Sequence, residues 1–279
     1  PEPIGPRPDG IAAGRRPVRA LLAVAVVLPA LLGRTGCSGS LSLDDDGRLY
    51  LVDAGGGEPT RLADIPGSLG ALAWSPTGNR IAVATVIAGE RHAAWVVATD
   101  GGRAQRVLEG PTPAPPSVAW SPDGTRLAVL SLREDRMIGR RLNVIDVDSG
   151  GLRRLDRWPV ALLDPGGPSW SADGRRIAYA RTPLGREGDR TALRDADVVG
   201  IAPGGTARRV IAGGWGVQSD PLWHPTERAV LHVRSGRFSQ LVVAGPGRAS
   251  RTVAGGLIAP TASWSPDGRA IAFVAARRD

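Results

Sequence analysis

Five times along the chain a tryptophan closes a short apolar run and is followed at once by a tight polar turn. The copies read "ALAWSPTGNRIAVA" at Trp74, "SVAWSPDGTRLAVL" at Trp120, "PSWSADGRRIAYA" at Trp170, "PLWHPTERAVLHV" at Trp223 and "ASWSPDGRAIAFV" at Trp264. The intervals between the tryptophans are 46, 50, 53 and 41 residues. Self-similarity at that period restricts a chain to solenoids, propellers or arrays, because one unit alone cannot bury its apolar face.

A second unit alternates with the first: "RLYLVDAGGGEPTRLAD" (48–64), "AAWVVATDGGRAQRVLE" (93–109), "RLNVIDVDSGGLRRLD" (141–156), "DVVGIAPGGTARRVIA" (197–212) and "QLVVAGPGRASRTVA" (240–254). Each has an apolar run, a Gly-rich turn, an Arg (61, 106, 154, 209 or 251) and a shorter apolar run. Both units read as β-hairpins. In "WSPDG" the Pro sets φ for the first corner of a type I turn, the Asp caps backbone amides and the Gly takes the left-handed position that follows. In the strand after it, large residues face one way and Ala the other, which lets a neighbouring layer approach closely.

Two hairpins make a four-stranded antiparallel sheet of 40–50 residues, and copies stacked around an axis bury both faces. The expectation is an all-β fold, a β-propeller of five blades, with six as the alternative. The chain opens on a second hairpin (48–64) and closes on a first (262–275), so these halves are expected to pair and complete one blade, closing the ring without free edges. The fourth copy, "WHPTER", has His224 for Ser and lacks Asp-Gly, so its turn must be built differently.

The phrases "WSPDG…IAFV" and "LYLVDAGGGEPTRL" resemble the WD40-like (PD40) repeats of the TolB family across residues 41–279. That resemblance implies a six-bladed relative acting in the bacterial periplasm, in an envelope-integrity system, where it binds a peptidoglycan-associated lipoprotein. The family's N-terminal α/β domain has no counterpart between Cys37 and Leu49. Similar repeats also form the gating propeller of prolyl-oligopeptidase-like (S9-type) peptidases, but no G-x-S-x-G nucleophile elbow occurs in these 279 residues.

Residues 1–37 read as an export segment and 38–279 as the propeller domain. Arg15, Arg16 and Arg19 precede the 13-residue uncharged run Ala20–Leu32, shorter than the ~20 residues a membrane span needs and suited to a secretory signal. "Thr35-Gly36-Cys37" resembles the end of a lipoprotein lipobox, which implies lipid attachment at Cys37; cleavage and release, or an uncleaved anchor, are the alternatives.

The chemistry-bearing residues are sparse. Three histidines (His92, His224, His232) supply no third ligand for zinc, and "Asp44-Asp45-Asp46-Gly47" lacks the spaced ligands of a calcium loop. No cofactor or metal is expected. Asp123, Asp173 and Asp267 recur with the turn, which points to structure. The recurrent Arg residues are expected on outer strands, where charge blocks edge-to-edge association. All 35 basic residues are Arg, and the net charge is +8. Beyond residue 37 the balance is 30 basic to 25 acidic (35 − 5 and 27 − 2). These charges are dispersed, so nucleic acid is not an expected partner.

Eight Trp stand against two Tyr and two Phe. Trp158 and Trp215 fall outside both repeats, and loop Trp is enriched at binding surfaces. These two and His224 are the candidate partner-binding residues. The connections 111–116 and 182–196 are where such surfaces are elaborated. The function expected is a non-catalytic, exported binding or scaffold protein of the cell envelope, with a protein partner and a monomeric propeller. The alternatives are a hydrolase or lyase using the funnel of the propeller, and a fragment or gating propeller of a peptidase.

Overall fold

The computed structural model describes residues 47–277 except 53, 55, 88–90, 112–114, 133–139, 156–165, 182–195 and 246–247. Cys37 and Trp158 lie outside the described residues, as do the export segment and most of the 182–196 connection.

Every described element is a strand, and every strand pairing is antiparallel. β1 (Gly47–Leu51) and β2 (Thr60–Ile65) form a two-stranded sheet. The first blade is β3 (Ser68–Trp74), β4 (Arg80–Ile87), β5 (Arg91–Ala98) and β6 (Gln105–Gly110). The second is β7 (Ser117–Trp120), β8 (Arg126–Leu132), β9 (Arg140–Asp146) and β10 (Leu152–Arg154). The third is β11 (Ser169–Trp170), β12 (Ile177–Arg181), β13 (Asp197–Ile201) and β14 (Arg209–Ala212). The fourth is β15 (Val217–Trp223), β16 (Val230–Ser235), β17 (Ser239–Gly245) and β18 (Arg248–Trp264), to which β19 (Ile271–Arg277) adds a fifth strand.

Each blade is therefore one Trp hairpin followed by one Gly-rich hairpin, as the repeat predicts. Arg106, Arg154, Arg209 and Arg251 fall on a blade's fourth strand and Arg61 on the second strand of the β1-β2 sheet, and all five are exposed. Arg61 pairs with Asp64, and Arg106 with Glu109 at 2.6 Å.

The core lies between the sheets. In β8, Leu127 and Val129 pack towards the first blade, while Ala128 and Leu130 pack towards the third. β12 repeats the device, with Ile177 and Tyr179 facing the second blade and Ala178 the fourth. The small Ala admits the bulky residues of the next sheet.

The repeat tryptophans fasten these layers. Trp120 Nε1 donates to the Ala73 carbonyl at 3.0 Å, Trp170 Nε1 to Ala119 at 3.1 Å and Trp264 Nε1 to Leu222 at 3.1 Å. Each acceptor is the residue just before the preceding repeat Trp.

The "SPDG" turn is built as expected. Asp123 accepts from the Ser121 hydroxyl at 2.5 Å and from the Thr125 amide at 3.1 Å, and Gly124 has φ of 69°. Ser121 Oγ accepts the Arg126 amide at 2.9 Å. Asp173 and Asp267 take their Ser hydroxyls at 2.6 Å in the same way.

In "WHPTER", His224 replaces the whole Ser-Asp device. Its Nδ1 accepts the Glu227 amide at 2.9 Å and the Thr226 amide at 3.2 Å. The proton is then on Nε2, which donates to the Gly268 carbonyl at 3.0 Å on the terminal hairpin. The ring also stands edge-on to Trp264, with centroids 4.6 Å apart.

The expected pairing of the two terminal hairpins is not made. Among the described residues β1 pairs only with β2, and β19 only with β18. The cause is β18, which is 17 residues long and serves two partners. Its first part pairs with β17 and its second with β19, and Leu257 pairs with both Ser239 and Arg277. The terminal hairpin is thereby laid against the fourth blade, where Ile271 and Ala275 pack on Leu231, Val233 and Leu241. Val274 and Phe273 on β19, and Tyr50 on β1, are left exposed.

Candidate functional site

Antiparallel alternation sorts the connections of a blade into two ends. The Trp turns and the Gly-rich turns emerge at one end, and they are spent on structure. The connections between hairpins and between blades emerge at the other. At that end of the fourth blade lie "GGWG" (213–216), which enters β15, and "SGRFS" (235–239), which links β16 to β17.

Trp215 is 62% exposed, an unusual position for so large an apolar surface. Its ring has two close neighbours. Arg234 stacks over it with the guanidinium carbon 5.1 Å from the ring centroid. A Cβ on Gly236 would come within 2.7 Å of the indole, so the ring lies close against the bare backbone of the turn. Gly216 has φ of 86°, and a Cβ on it would meet the Ser235 carbonyl, so the loop and the turn touch directly.

Arg234 is itself fixed by Gln240, which accepts from both Nε and Nη2. The buried Gln218 side chain donates to the carbonyls of Trp215 (3.3 Å) and Gly216 (3.4 Å). Ala196, the last residue of the 182–196 connection, pairs with Val217 beside the same loop. One further arginine-aromatic pair lies in the turn: Phe238 is 40% exposed and Arg237 sits 5.8 Å from its centroid.

The result is an exposed ridge of two aromatic rings and two guanidinium groups, with one ring and one arginine locked in position. A preset Trp-Arg surface loses little side-chain entropy when covered, and Trp and Arg dominate the energetic centres of protein interfaces. Among the described residues no group of three or more His, Cys, Asp or Glu is placed to hold a metal ion.

Of the candidate residues, Trp215 is thus presented to solvent, whereas His224 is 7% exposed with both ring nitrogens bonded within the protein. Phe238, Arg234 and Arg237 were not singled out from sequence. Their trace there is an aromatic between polar residues in "RSGRFSQ", outside both repeats.

No known family profile and no curated sequence matches the chain. Solved structures do match, and they define the class: the architecture is that of a β-propeller. More particularly, the fold is TolB-like. The chain matches TolB from Acinetobacter baumannii with a TM-score of 0.59 at 13% identity, covering 80% of this chain and 53% of that one. It matches a protein assigned as TolB from Agrobacterium tumefaciens with a TM-score of 0.58 at 19% identity, covering 84% of each chain. It also matches the tricorn protease with a TM-score of 0.61 at 13% identity, covering 81% of this chain and 26% of that one. The chain thus spans about half of the first of these proteins and a quarter of the last.

Proposed function

We propose that this protein is an exported, non-catalytic propeller of the bacterial cell envelope that binds another protein through the ridge at Trp215. The observation that carries the reading is the exposed Trp215 ring locked beneath Arg234 on the end of the fourth blade that is not used for repeat turns. The TolB resemblance and the Arg15–Cys37 pattern support export, with Cys37 as the lipid attachment point. No hydrolase or lyase turnover is part of this reading.

The test is a crosslinking pull-down of the full chain from its own envelope, beside Trp215→Ala and Phe238→Ala. One protein recovered with the parent chain and reduced in both variants supports the reading. Recovery that is identical for all three chains removes the ridge from it. Tethering is tested separately: Cys37→Ala should move the protein from the membrane fraction to the soluble one.

A further inference from the structure

The seam between the third and fourth blades departs from the others. Trp223 is buried at 7% exposure, yet its Nε1 has no hydrogen-bond partner among the described residues, whereas Trp120 and Trp170 each donate one blade back and Trp264 donates to Leu222. Its expected acceptor lies on β11, which is only two residues long. There Ser169 instead takes the Trp223 amide on its hydroxyl at 3.0 Å.

A second fastener is displaced as well. At the seam before, Arg126 covers the Trp170 ring at 5.0 Å. Arg176 holds the same place in the repeat, but it donates to the Ala207 carbonyl at 3.2 Å. Ala207 has φ of 53°, a left-handed backbone unusual for a residue with a Cβ.

What opens is a groove of about 640 Å³ between the two blades, at the end that carries the repeat turns. Its apolar floor is Trp223, Ile211 and Val210, the last 60% exposed. Four arginines line it, Arg175, Arg176, Arg209 and Arg228, against two carboxylates, Asp173 and Glu227. Asp173 already accepts from Ser171 Oγ and the Arg175 amide. None of the four guanidinium groups forms an ion pair within 4 Å with a described carboxylate. A buried donor without an acceptor costs about 1–3 kcal/mol, and Asp173, within reach of the charges of Arg175 and Arg228, leaves the groove with more arginines than carboxylates.

We infer that this groove binds an acidic peptide segment carrying an apolar side chain. The carboxylates match the excess of arginine over acid in the groove, and guanidinium binds carboxylate bidentately. The apolar side chain covers Val210 and the Trp223 floor. The volume lies within the range of pockets that enclose a small ligand or a short stretch of chain. The site is separate from the Trp215 ridge, which lies at the opposite end of the blade.

The experiment is fluorescence anisotropy with a fluorescein-labelled peptide of sequence EDLDE, titrated with the full chain at low salt. Arg209→Gln and Arg228→Gln are surface changes, and each should weaken binding about tenfold, the loss of one charge-assisted pair. Val210→Ser should weaken EDLDE but not its polar analogue EDQDE. Trp215→Ala should leave binding unchanged, which separates this inference from the proposed partner site. Equal affinity for EDLDE and EDQDE would overturn the role of the floor. Displacement by equimolar inorganic phosphate would reduce the groove to a bare anion site. Binding to phosphatidylglycerol vesicles that is lost in the arginine variants, with no binding of EDLDE, would assign it to a membrane and overturn the peptide claim.

Discussion

His232 should make this protein lose stability well above the pH at which its carboxylates titrate. The residue lies in β16 with 1% exposure. Its Nδ1 is 3.5 Å from the Val233 carbonyl, and its Nε2 has no partner among the described residues. Burial holds the imidazolium down to about 4; the charge of Arg234 acts the same way, and the Val233 carbonyl against it. In the unfolded chain the same ring titrates near 6.5. Between those values the unfolded state binds a proton that the folded state refuses, so stability falls as pH falls. The loss begins below pH 6.5 and levels off below about 4. From pH 7 to 4.5 it amounts to about 2.5 kcal/mol, a large part of the stability of a typical domain. The assay is urea unfolding of the full chain in nonionic detergent at pH 7, 6, 5 and 4.5, followed by Trp fluorescence and repeated for His232→Leu. His92 and His224 are present in both chains and drop out of the difference. The parent should lose the extra stability on acidification and the variant should not. Parallel pH profiles would refute the argument.

Four further outcomes follow from the geometry. Trp170→Phe removes a seam hydrogen bond and puts a smaller, less electron-rich ring under Arg126, whereas Trp223→Phe removes no side-chain hydrogen bond seen among the described residues. The first should therefore cost about 1–2 kcal/mol more than the second in urea unfolding. Gly268→Ala should lower Tm far more than Gly101→Ala, because both have positive φ but only at Gly268 would the new Cβ strike the His224 ring. Ala207→Gly should raise stability by about 1 kcal/mol, since glycine adopts the left-handed backbone freely; an unchanged or lower Tm would count against strain there. Asp123 is held to about 2, chiefly by the Ser121 hydroxyl, so its share of stability is present above its unfolded value near 3.8 and is lost as pH falls towards 2. Asp123→Asn should flatten the unfolding profile in that window.

The blades were legible because the repeat writes its own physics. Trp120, Pro122, Asp123 and Gly124 each do one local job, and the copies do it again at the same spacing. The outer-strand arginines were legible for the same reason. What repetition hides is the place where equivalent residues behave differently. Arg126 and Arg176 hold the same repeat position, yet one covers an indole and the other reaches a carbonyl, because the neighbouring turn at Ala207 is bent differently. Trp223 looks like its counterparts until the two-residue β11 deprives it of an acceptor. His224 could be seen as irregular, but its use of Nδ1 as a turn cap and Nε2 as a tie to Gly268 depends on which blade lies beside it. The failure of the terminal hairpins to pair depends on β18 running unbroken from one partner to the next. Nothing in "TVAGGLIAPTASW" states that continuity. Trp215 could be picked out as lying outside the pattern, but its stacking partner could not, since Arg234 is just one of 35 arginines.

The tryptophan ties have a direction. Each indole donor lies C-terminal to its carbonyl acceptor, one repeat unit further along the chain. Trp120 and Trp170 each reach back to an acceptor on the blade before, whereas Trp223 has none among the described residues. Removing either blade of such a pair opens the seam and exposes the surviving group, carbonyl or indole N–H, to water. The ties therefore record chain order: every one of the three runs back towards the N-terminus.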